Sequence, residues 1–127
     1  MLRKRSWGRL AAVGILATAT GAFVVPEAAL AVACPVNYVC VYDASNYGTP
    51  WQKWTAATLR ANGCTNLNSD LNNSVTSYSN YSSSRFVAFD HANCSDVAGL
   101  YQLFPNYSNP NVGSTYNDKA TSIAWSH

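Results

Sequence analysis

An all-β fold is predicted by three features of the 127-residue sequence. Short segments rich in β-branched and aromatic residues recur between clusters of turn-forming Asn, Gly and Pro. From Cys34 onward there are 13 Asn, 13 Ser and eight Tyr but no Glu, so the straight-chain residues that favour helices are scarce. The chain also repeats itself, with an aromatic hairpin and a turn hexapeptide each occurring twice.

The first segment reads as an address rather than as structure. Arg3, Lys4, Arg5 and Arg9 precede the apolar run Leu10–Val25, Pro26 breaks it, and two small-x-small sites follow at Ala29-Leu30-Ala31 and Ala31-Val32-Ala33. That is the layout of a secretory signal peptide over 1–33, with cleavage near 31 or 33. The run holds Gly14, Thr18, Thr20 and Gly21 and falls short of the roughly 20 apolar residues a membrane span needs. A lipid anchor on Cys34 is disfavoured, because Ala31 stands where such signals usually have Leu. No twin-arginine pair precedes an apolar residue, which favours the general secretion route. A secreted, extracellular protein is expected, with no membrane contact after cleavage.

The 94 residues from Cys34 make one small domain over 34–127. They hold Lys53, Arg60, Arg85 and Lys119 against Asp43, Asp70, Asp90, Asp96 and Asp118, a net charge near −1, although the whole chain is +2. A basic nucleic-acid binder is excluded. Cys34, Cys40, Cys64 and Cys94 all follow the leader, and an even number in a short exported chain reads as two disulfides. Three pairings are open. Cys34–Cys40 with Cys64–Cys94 is favoured, the first closing a short loop and the second tying the two halves together. Intervals of six, 24 and 30 residues do not supply the close pairs of a zinc site.

Strands are expected at Tyr38–Tyr42, Val75–Ser79, Arg85–Phe89, Gly99–Phe104 and Thr121–Trp125. Asn46-Tyr47-Gly48, Asn62-Gly63, Asn72-Asn73 and Asn109-Pro110-Asn111 separate them as turns. Lys53–Asn62 is the one helix-like stretch. The repeat aligns Asn72-Asn73-Ser74-Val75-Thr76-Ser77 with Asn117-Asp118-Lys119-Ala120-Thr121-Ser122 at an offset of 45. It aligns Val41–Tyr47 with Ala88–Cys94 at an offset of 47. Two four-stranded units, each too small to bury its own sheet, are expected to pack face to face as a sandwich.

The doubled N-[ND]-x-x-[ST]-S hexapeptide, each copy following an aromatic hairpin, resembles the calcium-binding βγ-crystallin Greek keys. The Cys-Pro-x-x-Tyr-x-Cys-x-Tyr opening (Cys34 to Tyr42), Cys64-Thr65-Asn66-Leu67 and Asp90-His91-Ala92-Asn93-Cys94-Ser95 extend the likeness. Together they resemble the small secreted metalloproteinase inhibitors of streptomycetes and the wider peptidase-inhibitor family around them. The resemblance implies a disulfide-crosslinked sandwich with Greek key one over about 34–80 and Greek key two over about 84–127. The family's hairpin carries a glycine seven residues after its aromatic, where the turn needs positive φ. Here that place holds Thr49, with Gly48 one residue early, and Asp96 in the second copy. A shifted turn is therefore expected in the first hairpin.

Carried over residue by residue, the resemblance implies two calcium sites shared between the turns. Backbone carbonyls of Ser74 and Lys119 and side chains of Thr76 and Thr121 would ligate, with Asn73 and Asp118 supporting or ligating and carbonyls of Asp43 and Asp90 completing the shells. Mostly neutral oxygens imply weak affinity, on the order of 10⁻⁴–10⁻³ M, so calcium would serve as a stabiliser. The bland reading is that these residues make turn hydrogen bonds only.

Catalysis is not expected. The domain has two histidines, His91 and His127, and no H-E-x-x-H, G-x-S-x-G or phosphate-binding loop. Asp90 adjoins His91 in a predicted hairpin, where consecutive side chains diverge. Trp51, Trp54 and Trp125 read as core or rim packing rather than a sugar platform. The leading function is a secreted, monomeric inhibitor whose partner is a secreted metalloprotease, docked on a rigid surface that loses little ordering entropy. The connection Gly63–Asn68, anchored by Cys64, is the candidate contact surface. A non-inhibitory calcium-binding module and a secreted toxin-like protein are the competing readings.

Overall fold

The computed structural model describes residues 30–95 and 98–127. The basic and apolar parts of the expected leader, and Asp96, lie outside the described residues. Eight strands and one helix follow in order: β1 Tyr38–Ala44, β2 Gly48–Thr55, α1 Ala56–Asn62, β3 Cys64–Asn66, β4 Ser77–Asn80, β5 Arg85–Phe89, β6 Tyr101–Leu103, β7 Tyr107–Asn109 and β8 Ser122–Ser126. They form two four-stranded sheets, ordered β2-β1-β4-β7 and β3-β8-β5-β6, with every pairing antiparallel.

The two sheets are not the two halves. Each half lends three strands to one sheet and its third strand to the other, β3 crossing one way and β7 the other. The expectation of one sheet per half is corrected accordingly. A three-stranded half presents an open edge, and exchanging a strand covers it. The result is the Greek-key sandwich with an internal twofold: β1 matches β5, β2 matches β6, β3 matches β7 and β4 matches β8.

Alternation along β1 explains how its sheet is covered on both sides. Val39 and Val41 enter the core between the sheets, with Leu59, Leu71, Val75, Phe86, Leu103 and Ile123. Cys40 and Tyr42 face outward and are also fully buried, in a second cluster with Cys34, Val32, Tyr47 and Trp51. The disulfides pair Cys34 with Cys40 and Cys64 with Cys94. The first pins the N-terminal segment to β1; the second joins β3 of the first half to the turn after β5.

Residues 53–55 of the expected helical stretch belong to β2; the helix starts at Ala56, where Thr55 Oγ1 accepts the amide of Thr58 at 3.1 Å as an N-cap. Gly63, at φ 77°, ends it. The two hairpin turns share a left-handed pair: φ is positive at Asn46 and Tyr47 (57° and 64°) and at Asn93 and Cys94 (60° and 53°). Gly48 is extended, at φ −86°. Ser95, its counterpart in the second turn, is helical at φ −90° and ψ −4°; in the first hairpin the left-handed residues are Asn46 and Tyr47, ahead of Gly48 and Thr49.

Candidate functional site: the paired turns and the edge at Cys64

The hexapeptides sit side by side and bind each other. The amide of Asn73 donates to Ala120 O (2.9 Å) and that of Asp118 to Val75 O (3.1 Å). Asn73 and Asp118 are both left-handed, at φ 59° and 60°, a conformation Asn and Asp tolerate best among residues with a Cβ. The threonine hydroxyls cross between turns: Thr76 Oγ1 donates to Asn117 Oδ1 at 2.6 Å and Thr121 Oγ1 to Asn73 Oδ1 at 3.0 Å. Each also lies 3.5 Å from a carbonyl of its own turn, that of Ser74 or Lys119. Neutral hydroxyl, amide and carbonyl oxygens therefore converge at two places, with the first Asn of the second hexapeptide (Asn117) at one and the second Asn of the first (Asn73) at the other, a donor set of the hard type calcium takes.

The last residue of each hexapeptide is a buried clamp. Ser77 Oγ donates to Ala44 O (2.7 Å) and accepts the amide of Tyr47 (3.1 Å). Ser122 Oγ donates to His91 O (2.6 Å) and accepts the amide of Cys94 (3.0 Å). Both serines are 0 % exposed. The bonds hold the folded hairpin over the turn that follows it, in both halves alike.

Of the remaining expected ligands, Asp43 is the penultimate residue of β1 and half-buried, and Asp90 follows β5 exposed. The Asp43 carboxyl is pushed above its usual range, first by burial and then by the charges of Asp118 and Asp70. Asp70 escaped the sequence reading; its one signal was position, three residues ahead of Asn73. Among the described residues no three His, Cys, Asp or Glu side chains are grouped as a metal cluster, so a cation here would rest on neutral oxygens with help from dispersed carboxylates. His91 is an exposed residue of the second hairpin turn.

Gly63–Asn68 is a strand edge rather than a loose connection. β3 pairs with β8 alone, Thr65 opposite Ile123. Asn66 locks to Asn93 by two bonds, Nδ2 to Oδ1 at 3.1 Å and Oδ1 from the Asn93 amide at 2.8 Å. Asn68 Oδ1 accepts the amides of Asp70 and Leu71, both at 3.1 Å. With Cys64–Cys94 behind it, this segment is extended, open on one side and held at three points.

Sequence reasoning also missed a cleft of about 460 Å³ between the edge strands β6 and β7, lined by Tyr78, Tyr101, Phe104, Tyr107 and Tyr116 with no charged side chain. Tyr101 stacks on Tyr78 at 5.8 Å and meets Tyr116 at 5.6 Å. These tyrosines come from four separate segments and show no common period along the chain. Trp51 and Trp54 pack against the two clusters, and Trp125 lies at the rim against His127.

Comparison with known proteins agrees with this geometry. The model of peptidase inhibitor family I36 matches residues 27–101, more than half of the chain. No curated protein matches. Among solved structures, one from work on the evolution of the eye-lens βγ-crystallin domain fold superposes with a TM-score of 0.60 at 16% identity, covering 78% of this chain and 95% of that one. A βγ-crystallin domain from Clostridium beijerinckii gives 0.51 at 24% identity, covering 68% and 94%. One from Flavobacterium johnsoniae gives 0.52 at 21%, covering 69% and 92%. At these identities the likeness is one of fold, and the fold is that of the βγ-crystallins. Function comes from the family match: the chain belongs to peptidase inhibitor family I36, proteins that block peptidases rather than acting as enzymes.

Proposed function

We propose that this inhibitor is secreted and acts on metalloproteases, with the β3 edge as its contact surface and calcium at the paired turns as its stabiliser. The observation that carries the contact surface is the fixing of Cys64–Asn68. A protease cleft takes up extended chain, and this edge is already extended before it docks, so little ordering entropy is lost on binding. The Cys64–Cys94 bridge would hold the segment together if a bond within it were cut. Support for a metalloprotease target is the cysteine frame with its Cys-Pro opening. Support for calcium is the convergence of Thr76, Ser74 O and Asn117 in one turn pair and of Thr121, Lys119 O and Asn73 in the other. Support for secretion is the pair of disulfides, which persist in oxidising compartments; among the described residues no helix is long and apolar enough to cross a membrane.

The test is residual protease activity at stoichiometric ratios of the oxidised, processed protein. A thermolysin-like zinc protease is expected to lose activity while a subtilisin keeps it. Loss of subtilisin activity alone would reverse the assignment of target class. Loss of neither would move the reading to a non-inhibitory, calcium-stabilised module.

A further inference from the structure

We infer that the leader is removed after Ala31, and that Val32, left as the first residue, is a working part of the folded domain. The inference rests on the secretory reading and is independent of which protease is inhibited. Both Ala29-Leu30-Ala31 and Ala31-Val32-Ala33 offer small residues at the two positions a signal peptidase reads, so the sequence leaves the choice open.

The fold distinguishes the two products through the outward face of β1. Cys40 and Tyr42 point away from the core between the sheets yet are 0 % exposed. Their cover includes Val32, which packs on this cluster beside Tyr47 and Trp51. Val32 is also bonded at both ends of its peptide unit: its amide donates to Tyr47 O at 2.9 Å, and its carbonyl accepts the hydroxyl of Tyr42 at 2.8 Å.

Hydrolysis of the Ala31–Val32 amide by water leaves a carboxylate on Ala31 in the leader and an ammonium on Val32. Val32 is half-exposed; one N–H of that ammonium already points at Tyr47 O and the others reach solvent. What is given up is the placement of Ala31, an exposed residue, opposite Gly48. Hydrolysis after Ala33 would do more damage. Val32 would be lost from the cluster that covers Cys34, Cys40 and Tyr42, and the new ammonium would sit on Cys34 itself, beside its disulfide. Tyr42 would lose the Val32 carbonyl that its hydroxyl bonds.

The test starts from the full chain expressed in a secreting bacterial host, with the exported product read by intact mass and N-terminal sequencing. A product beginning at Val32 is expected; one beginning at Cys34, or one still carrying the leader, overturns the inference. Neither result depends on protease inhibition, so a failure here is distinct from a failure of the inhibitor reading. A second measurement compares thermal midpoints of chains beginning at Val32 and at Cys34. The shorter is expected to melt about 4–8 °C lower, and equal midpoints would overturn the structural role of Val32.

Discussion

Asp43 and its neighbours show what a few oxygens do at a turn built largely from neutral groups. Its carboxyl is raised by burial first and by Asp118 and Asp70 second, so the fold favours its protonated form. The sign follows: this group's contribution to stability is complete below the ordinary value of 3.8 and is lost as pH rises through the raised one. At neutral pH three carboxylates therefore repel across the turns unless a cation lies among them. Asp43→Asn is expected to raise the melting midpoint of the calcium-free protein at neutral pH and to shrink the further rise given by millimolar calcium. Melts of both proteins in EDTA and in calcium check this. An unchanged midpoint of the parent protein on adding calcium would remove the cation from the account. The left-handed pair was foreseeable here, since Asn-Asn and Asn-Asp invite positive φ; the approach of Asp70 was not, because only the folded loop brings it near.

Elements whose signals are local were legible, and those completed by distant partners were not. Arg85–Phe89 was expected at the bounds observed for β5, and the doubled hexapeptide marks where β4 and β8 begin. A second strand of the hairpin was expected, but β2 received no bounds because Gly48, Pro50, Gln52 and Lys53 spoil its pattern; Pro is tolerated because β2 is an edge strand. β3 and β7 are three residues each, too short to show a period of two, and exist because each crosses to the other half's sheet. The aromatic cleft lies between two such edges and was hidden for the same reason. The element that the sequence marked best is the serine clamp. Ser77→Ala and Ser122→Ala each leave a part-buried amide and a part-buried carbonyl without their hydroxyl partner, a cost of about 1 kcal/mol. Each variant is expected to melt lower by about 4–8 °C per kcal/mol lost, and the two losses should be similar because the bonds are the same in both halves. A silent Ser122→Ala beside a destabilising Ser77→Ala would break the proposed equivalence of the two corners.

At the scale of the whole molecule, strand exchange leaves neither half with a sheet of its own, and Cys64–Cys94 crosses between them, so the domain should open as one unit. Its charge is near zero, and its aliphatic core is supplemented by tyrosines. Burial is the largest cause that pushes Tyr42 and Tyr78 up to about 12 and raises Tyr101 further. All three are raised above the unfolded value of 10.0. Their contribution is therefore whole below that pH and falls away as pH climbs toward the folded values. Acting together on a marginally stable domain, they set an alkaline limit, and with every cysteine paired no free thiol is present to start disulfide exchange first. Titrated upward from neutral pH, the protein is expected to show a late rise in tyrosinate absorbance that coincides with loss of the sheet signal in circular dichroism. If all eight tyrosines instead ionised in one early step with the sheets intact, the tyrosines would not be buried as the sandwich requires.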